Sequence, residues 1–175
     1  MPTKDGKLIS RSILMSNIAM SVESHTQVDV HIRWMIRRDM PEVLEIENVC
    51  FNIPWGEENF LAVLRERNCI GMVAELDDRI MGFYIYKLHK TKMHILNFAV
   101  LPSCHRHKIG TQLIDKLISK LSANNRTKIY LETRESNLPA QLFFKSKGFK
   151  AIKVINNYYN DDETAYRFKY KLEGI

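Results

Sequence analysis

Cysteine is scarce: Cys50, Cys69 and Cys104 are three in 175 residues, with no Cys-x-x-Cys spacing. Neither a disulfide framework nor a zinc ribbon is implied, and a reducing, cytoplasmic setting is the expectation. No apolar run approaches the length of a membrane span, so no membrane partner is expected. No segment repeats. Aromatic and basic residues do not interleave in the manner of RNA-binding strands, so direct binding of nucleic acid is not expected either. Lys4, Lys7 and Arg11 precede a mildly apolar segment, Ile13 to Val22, as in a targeting peptide. Ser16, Asn17 and Ser21 interrupt it, and no small-residue cleavage site follows. Residues 1–30 are therefore read as a mobile N-terminal extension, and residues 31–175 as one domain.

What is present is ordinary in amount and uneven in placement. Apolar residues at 45% and charged residues at 26% describe a globular chain with a real core. The net charge of +6 is concentrated late: residues 103–175 hold fourteen basic against seven acidic groups, while residues 30–102 hold nine against ten. Such a basic half attracts a polyphosphate, an acidic partner or nucleic acid.

The stretch from Ile95 to Leu121 organises the rest. Ile95-Leu96-Asn97-Phe98-Ala99-Val100 reads as a buried strand, stopped by Pro102. Ser103 to Lys108 forms a short basic loop, and Ile109, Leu113, Leu117 and Leu121 then recur at helical spacing. Cations and unpaired backbone N–H groups thus meet at a helix start, which suits an anion. The plain alternative is a β-α crossover with a solvated loop. A metal site at Cys104, His105 and His107 is set aside, because the three crowd one basic loop without a fourth ligand.

Around this stretch the pattern predicts a first strand at 31–36, then a helix capped by Asp39 with Pro41 in its first turn. A second helix opens at Glu57-Glu58 and ends near Asn68. A hairpin follows at 70–88 through Asp77-Asp78. Strand 128–133 comes next, then a helix capped by Asn137 and ended by Gly148, and strands at 149–155 and 164–172. The order is β-α-α-β-β-β-α-β-α-β-β, a mixed α/β sheet of about seven strands with four helices on both sides. The strands flanking the 109–122 helix should run parallel.

This order, with Phe51 to Trp55 before Glu58 and Phe60, Phe98-Ala99-Val100 before Pro102, Glu132 to Asn137, Gly148-Phe149, and Tyr158-Tyr159 before Glu163, resembles the GCN5-related N-acetyltransferase (GNAT) fold. Within it the chain is similar to the ribosomal-protein-alanine N-acetyltransferases (RimI-like). The likeness spans roughly residues 31–172. It implies transfer of an acetyl group from acetyl-CoA to an amine, by direct attack in a ternary complex. It implies a protein N-terminus as acceptor, a ribosomal protein's among them, and no metal. It places acetyl-CoA against Phe98, Ala99, Val100, His105, Arg106, His107, Lys108, Ile109, Gly110, Thr111, Asn137 and Phe144. Glu132 matches the general base. Two positions depart from the family: Lys108 stands where a glycine is usual, and Phe144 where a proton-donating tyrosine is usual. A non-glycine residue in the left-handed region costs roughly 1 kcal/mol or more.

Tyr158 or Tyr159 could replace the missing hydroxyl, or water could protonate the thiolate. Phe51, Ile53, Trp55 and Tyr158 could line a slot for the acceptor, with core packing the alternative for the first three. A lysine or small-molecule amine acetyltransferase, and a non-catalytic CoA-binding or ribosome-associated module, remain open at this point.

Overall fold

Hairpins build one half of the sheet and a parallel crossover joins the other half to it. The computed structural model describes residues 27–121 and 125–173; the expectation of a mobile extension falls mostly on residues outside these. The strands are β1 (His31–Trp34), β2 (Cys69–Leu76), β3 (Arg79–Leu88), β4 (Lys92–Val100), β5 (Lys128–Arg134), β6 (Lys150–Ile155) and β7 (Ala165–Lys171). The helices are α1 (Met40–Cys50), α2 (Glu57–Leu64), α3 (Ile109–Ser119) and α4 (Leu138–Ser146). One seven-stranded sheet results, in the order β1-β2-β3-β4-β5-β7-β6.

Local chemistry accounts for most of these boundaries. Asp77 and Asp78 both take positive φ (49° and 60°) in the two-residue turn between β2 and β3, the twist a tight hairpin needs. Asn137 Oδ1 accepts from the Ala140 N–H at 3.1 Å and so caps α4. Gly148, at φ +84°, ends α4 as expected. Asp39 differs. It holds the N-cap position of α1, yet its side chain caps nothing there. Its carboxylate instead receives the Arg33 guanidinium at 2.7 and 2.9 Å. Arg33 also grips Glu75, tying β1 to β2 and to the turn before α1. Asp39 Oδ2 also accepts from the Ile36 N–H at 2.8 Å, so the carboxylate closes the turn before α1 rather than the first turn of α1.

Alternation along the strands divides the core in two. Tyr84, Tyr86, Met93, Ile95, Ile129, Leu131 and Phe168 face α3 and α4. Val73, Ile80, Phe83, Ile85 and Ala99 face α1 and α2. β4 is the shared element, and a bulge interrupts its pairing with β3 between Ile85 and Tyr86, so that Asn97 and Ile95 pair with consecutive β3 residues. A bulge bends its strand. On its other edge β4 pairs in parallel with β5 only at Lys92, Met93 and His94. Beyond His94 the two strands part.

Candidate active site

The parted strands bound a cavity of about 450 Å³. Ile95 to Phe98 of β4 form one wall and Leu131 to Arg134 of β5 the other. Phe51, Ile53, Pro54 and Trp55, from the α1–α2 loop, close one end, with Tyr158 and Tyr159 of the β6–β7 loop opposite; Asn137, Ala140 and Phe144 complete it. Strand backbone with no ladder partner must find other hydrogen bonds.

Glu132 stands at the vertex of the split. Its Oε2 lies 2.6 Å from His94 Nε2, and its Oε1 accepts from Arg167 Nε at 2.6 Å. Burial pushes this carboxyl up, but the hydrogen bonds and charges of His94 and Arg167 outweigh it and hold the group below the ordinary carboxylate value. An ionised carboxylate only accepts, so His94 Nε2 carries a proton and donates to Glu132 Oε2.

Glu47 is the second buried acid, from α1. Its Oε1 accepts from the Trp55 N–H at 2.8 Å and its Oε2 from Asn97 Nδ2 at 2.9 Å. Burial raises this carboxyl above its ordinary value, against those two bonds. The pair fastens the α1–α2 loop to β4. Asn97 Oδ1 and Thr133 Oγ1, both buried in the cavity wall, have no partner among the described residues. Buried polar atoms without partners are uncommon and fit a wall that a polar ligand completes.

At the far end of β4 the basic loop enters α3. Lys108 occupies the N-cap at φ 60°, ψ 18°, so the left-handed conformation that favours glycine is adopted by lysine, and Arg106 is left-handed too (φ 68°). No side chain caps this helix start, which leaves the N–H groups of Ile109, Gly110 and Thr111 for an anion. The Ile109 side chain itself is core. A Cβ at Gly110 would sit 3.3 Å from the Phe143 ring, close enough that the ring would have to give way slightly. His105 turns back and donates to the Val100 carbonyl at 3.0 Å, which leaves Arg106, His107 and Lys108 as the loop's outward cations.

Phe144 is buried, edge-on to Phe98, Phe143 and Phe149, and offers the cavity a ring without a hydroxyl. Tyr158 and Tyr159 pack edge to face at 5.0 Å, and the Arg134 guanidinium lies 4.0 Å over the Tyr159 ring. Burial, then the neighbouring Tyr158 phenol, pushes the Tyr159 hydroxyl up to about 12. Ala99 faces the α1–α2 core and is not a cavity residue.

Chain similarity agrees with this geometry. Residues 40–149 match the Acetyltransferase (GNAT) family. The chain belongs to that family. It is an acetyl-CoA-dependent N-acetyltransferase, and its split sheet is the GNAT fold. It is 31% identical over 121 residues to the ribosomal protein bS18-alanine N-acetyltransferase of Salmonella typhimurium, covering 69% of this chain and 81% of that one. It is 29% identical over 141 residues to the N-alpha-acetyltransferase of Sulfurisphaera tokodaii, covering 73% and 84%. The crystal structure of Ard1 from Thermoplasma volcanium superposes with a TM-score of 0.78 at 27% identity, covering 84% of this chain and all of that one. Acetyl-CoA is thus the acyl donor. No group of three or more metal-ligating side chains occurs among the described residues, and no helix among them is long and apolar enough to cross a membrane.

Sequence reasoning missed His94, Arg167, Glu47, Asn97 and Thr133. Two left a trace. Glu47 sits in an apolar helix stripe and Asn97 in an apolar strand, and a buried polar group demands a partner.

Proposed function

We propose that this GNAT enzyme acetylates the N-terminal α-amine of a polypeptide, with the His94–Glu132 pair as proton acceptor. The observation that carries the reading is that pair at the vertex of the split, beside a cavity walled by loops on both sides. Acetyl transfer needs a neutral amine. An α-amine, with a pKa of ~7.7–8.0, is partly neutral near pH 7, whereas lysine at ~10.4 would cost ~3–4 kcal/mol more to deprotonate. A mild base is therefore adequate. Glu132, held ionised by the Arg167 guanidinium and the His94 Nε2–H, is a weak base by itself; it orients His94, whose Nδ1 receives the proton. The neutral amine then attacks the thioester carbonyl, a C–N bond forms as the C–S bond breaks, and the excess proton on the nitrogen passes to the departing CoA thiolate, directly or through water.

The thiolate needs no strong donor, because a thiol of pKa ~8.5 is a tolerable leaving group. Tyr159, at about 12, is a poor acid for it, and its place under Arg134 suits it to shaping the acceptor slot. Tyr158, more exposed, faces the acceptor and shares the cavity with Glu132. Arg106, His107, Lys108 and the N–H groups of 109–111 would grip the pyrophosphate. The relatives' names support a protein N-terminus as acceptor, a ribosomal protein's among them.

The test is CoA release on mixing acetyl-CoA with matched peptides bearing a free or a blocked N-terminus. Release with the free peptide alone supports the reading. Turnover only on lysine side chains or small amines overturns it, as does acetyl-CoA binding without turnover on any amine.

A further inference from the structure

Among the described residues, one face of β5, β6 and β7 carries no helix. The core under α1 and α2 takes no residue from β5, β6 or β7, while α3 and α4 cover the opposite face, where Ile129, Leu131 and Phe168 are buried. Register sets out what the bare face carries, because paired residues of adjacent strands share a face. Lys92, Lys128 and Lys171 form one row. His94, Tyr130, Lys169 and Lys150 form the next. Glu132, Arg167 and Lys153 form the third, at the catalytic vertex.

The only acid of the three rows is Glu132, already held by His94 and Arg167. None of the six lysines has a carboxylate within ion-pair distance among the described residues. Lysine faces lysine across Lys92/Lys128, Lys128/Lys171 and Lys150/Lys169, and Lys153 faces Arg167. Like charges directly opposite destabilise a sheet, and among the described residues no carboxylate pairs with these lysines to offset them. A groove lined by Lys92, His94, Tyr130, Ile152, Lys153 and Arg167 adjoins the cavity through the two residues that hold Glu132.

We infer that this face is the track on which the acceptor polypeptide docks, and that it selects acceptors with acidic residues shortly after the reacting amine. The inference rests on the α-amine reading above. Strand rise is roughly 3.3 Å per residue, so successive rows lie roughly 7 Å apart, two residues of an extended acceptor. Acidic side chains at about positions three to six would therefore meet the lysines. Nucleic acid fits less well: the face offers a single aromatic ring, Tyr130, and Lys92 lies over it at 5.2 Å, which leaves little for base stacking.

The experiment uses peptides identical in their first two residues, with glutamate or alanine at about positions three to six, against the full chain and a K150A/K153A/K169A variant. With wild type the acidic peptide should show a kcat/KM higher by about tenfold or more, residing in KM and shrinking as salt rises. In the variant that preference disappears, kcat on the alanine peptide stays the same, and the thermal midpoint does not fall. Equal rates on both peptides, or a preference for basic ones, overturns the inference. Anisotropy with the labelled acidic peptide and with a single-stranded RNA separates the partners. Loss of RNA binding alone in the variant assigns the face to nucleic acid and overturns the inference. Acidic-peptide binding that the variant loses, with no peptide acetylated, upholds the docking and removes the α-amine reading.

Discussion

His94 is the last β4 residue paired with β5, and its Nε2 lies 2.6 Å from Glu132 Oε2, two residues past the point where the ladder ends. The hydrogen bond therefore pins the fork from which the cavity opens. Chemistry and architecture share one contact.

If that contact is the base, His94→Ala and Glu132→Gln should each lower kcat by ~10²-fold or more, with acetyl-CoA affinity unchanged by calorimetry. A stopped-flow pH profile should lose its acidic limb in His94→Ala. Unchanged profiles in both variants would remove the pair from the reaction.

The same carboxylate links stability to pH. The Glu132 carboxyl is lowered in the fold, so its contribution is fully present above the ordinary value of 4.5 and is lost as pH falls through the lower folded value. Arg167→Ala should cost roughly 1.5–3 kcal/mol at neutral pH, measured by urea unfolding, and that cost should shrink under acid.

Lys108→Gly relieves a left-handed lysine but frees a glycine in the unfolded chain. The two effects oppose, and stability should change by under about 1 kcal/mol. Acetyl-CoA should bind severalfold more weakly in calorimetric titration, more so at low salt, because a charge beside the α3 start is gone. Tighter binding would contradict a phosphate role for the lysine.

The β6–β7 loop is fastened at Glu163, whose carboxylate accepts from the Ser136 hydroxyl and N–H at 2.6 and 2.9 Å and from Arg134 at 2.6 Å. The two Ser136 bonds, then Arg134, hold its carboxyl down at about 2. Glu163→Ala should release Tyr158 and Tyr159, raising the acceptor KM about tenfold with little change in acetyl-CoA binding. Tyr159→Phe keeps the ring under Arg134 and should retain turnover within about threefold. A collapse of turnover in Tyr159→Phe would make its hydroxyl chemical.

Glu47→Gln tests the loop anchor. The two donors, the Trp55 N–H and Asn97 Nδ2, sit on different carboxylate oxygens, and glutamine replaces one of those oxygens by an NH2 donor, so KM for the peptide should rise while the thermal midpoint falls. A loss confined to kcat would instead give this burial-raised carboxyl a share in proton transfer.

Elements whose cause is local were legible in the chain. The Asp77-Asp78 turn, the Asn137 cap and the Gly148 stop follow from residue chemistry within four positions. Lys108 stands, by the resemblance, where a glycine usually supplies close backbone approach or positive φ, and the structure has it at φ 60°. Asp39 was legible as an N-cap position but not in its bonding, because Arg33 reaches it only after β1 folds alongside. His105 was read as a loop cation, yet the bend after Pro102 returns its ring to Val100.

By itself the sequence determined the number and order of the elements, the basic loop at a helix start, and the excess of cations in the second half. Those depend on periodicity and on neighbours along the chain. Only the tertiary structure decided that His94 and Arg167 converge on Glu132, that Glu47 meets Asn97, and that the late lysines share one uncovered face. Each joins residues some 35 to 50 positions apart or depends on strand register, where a one-residue slip would turn every side chain to the other side.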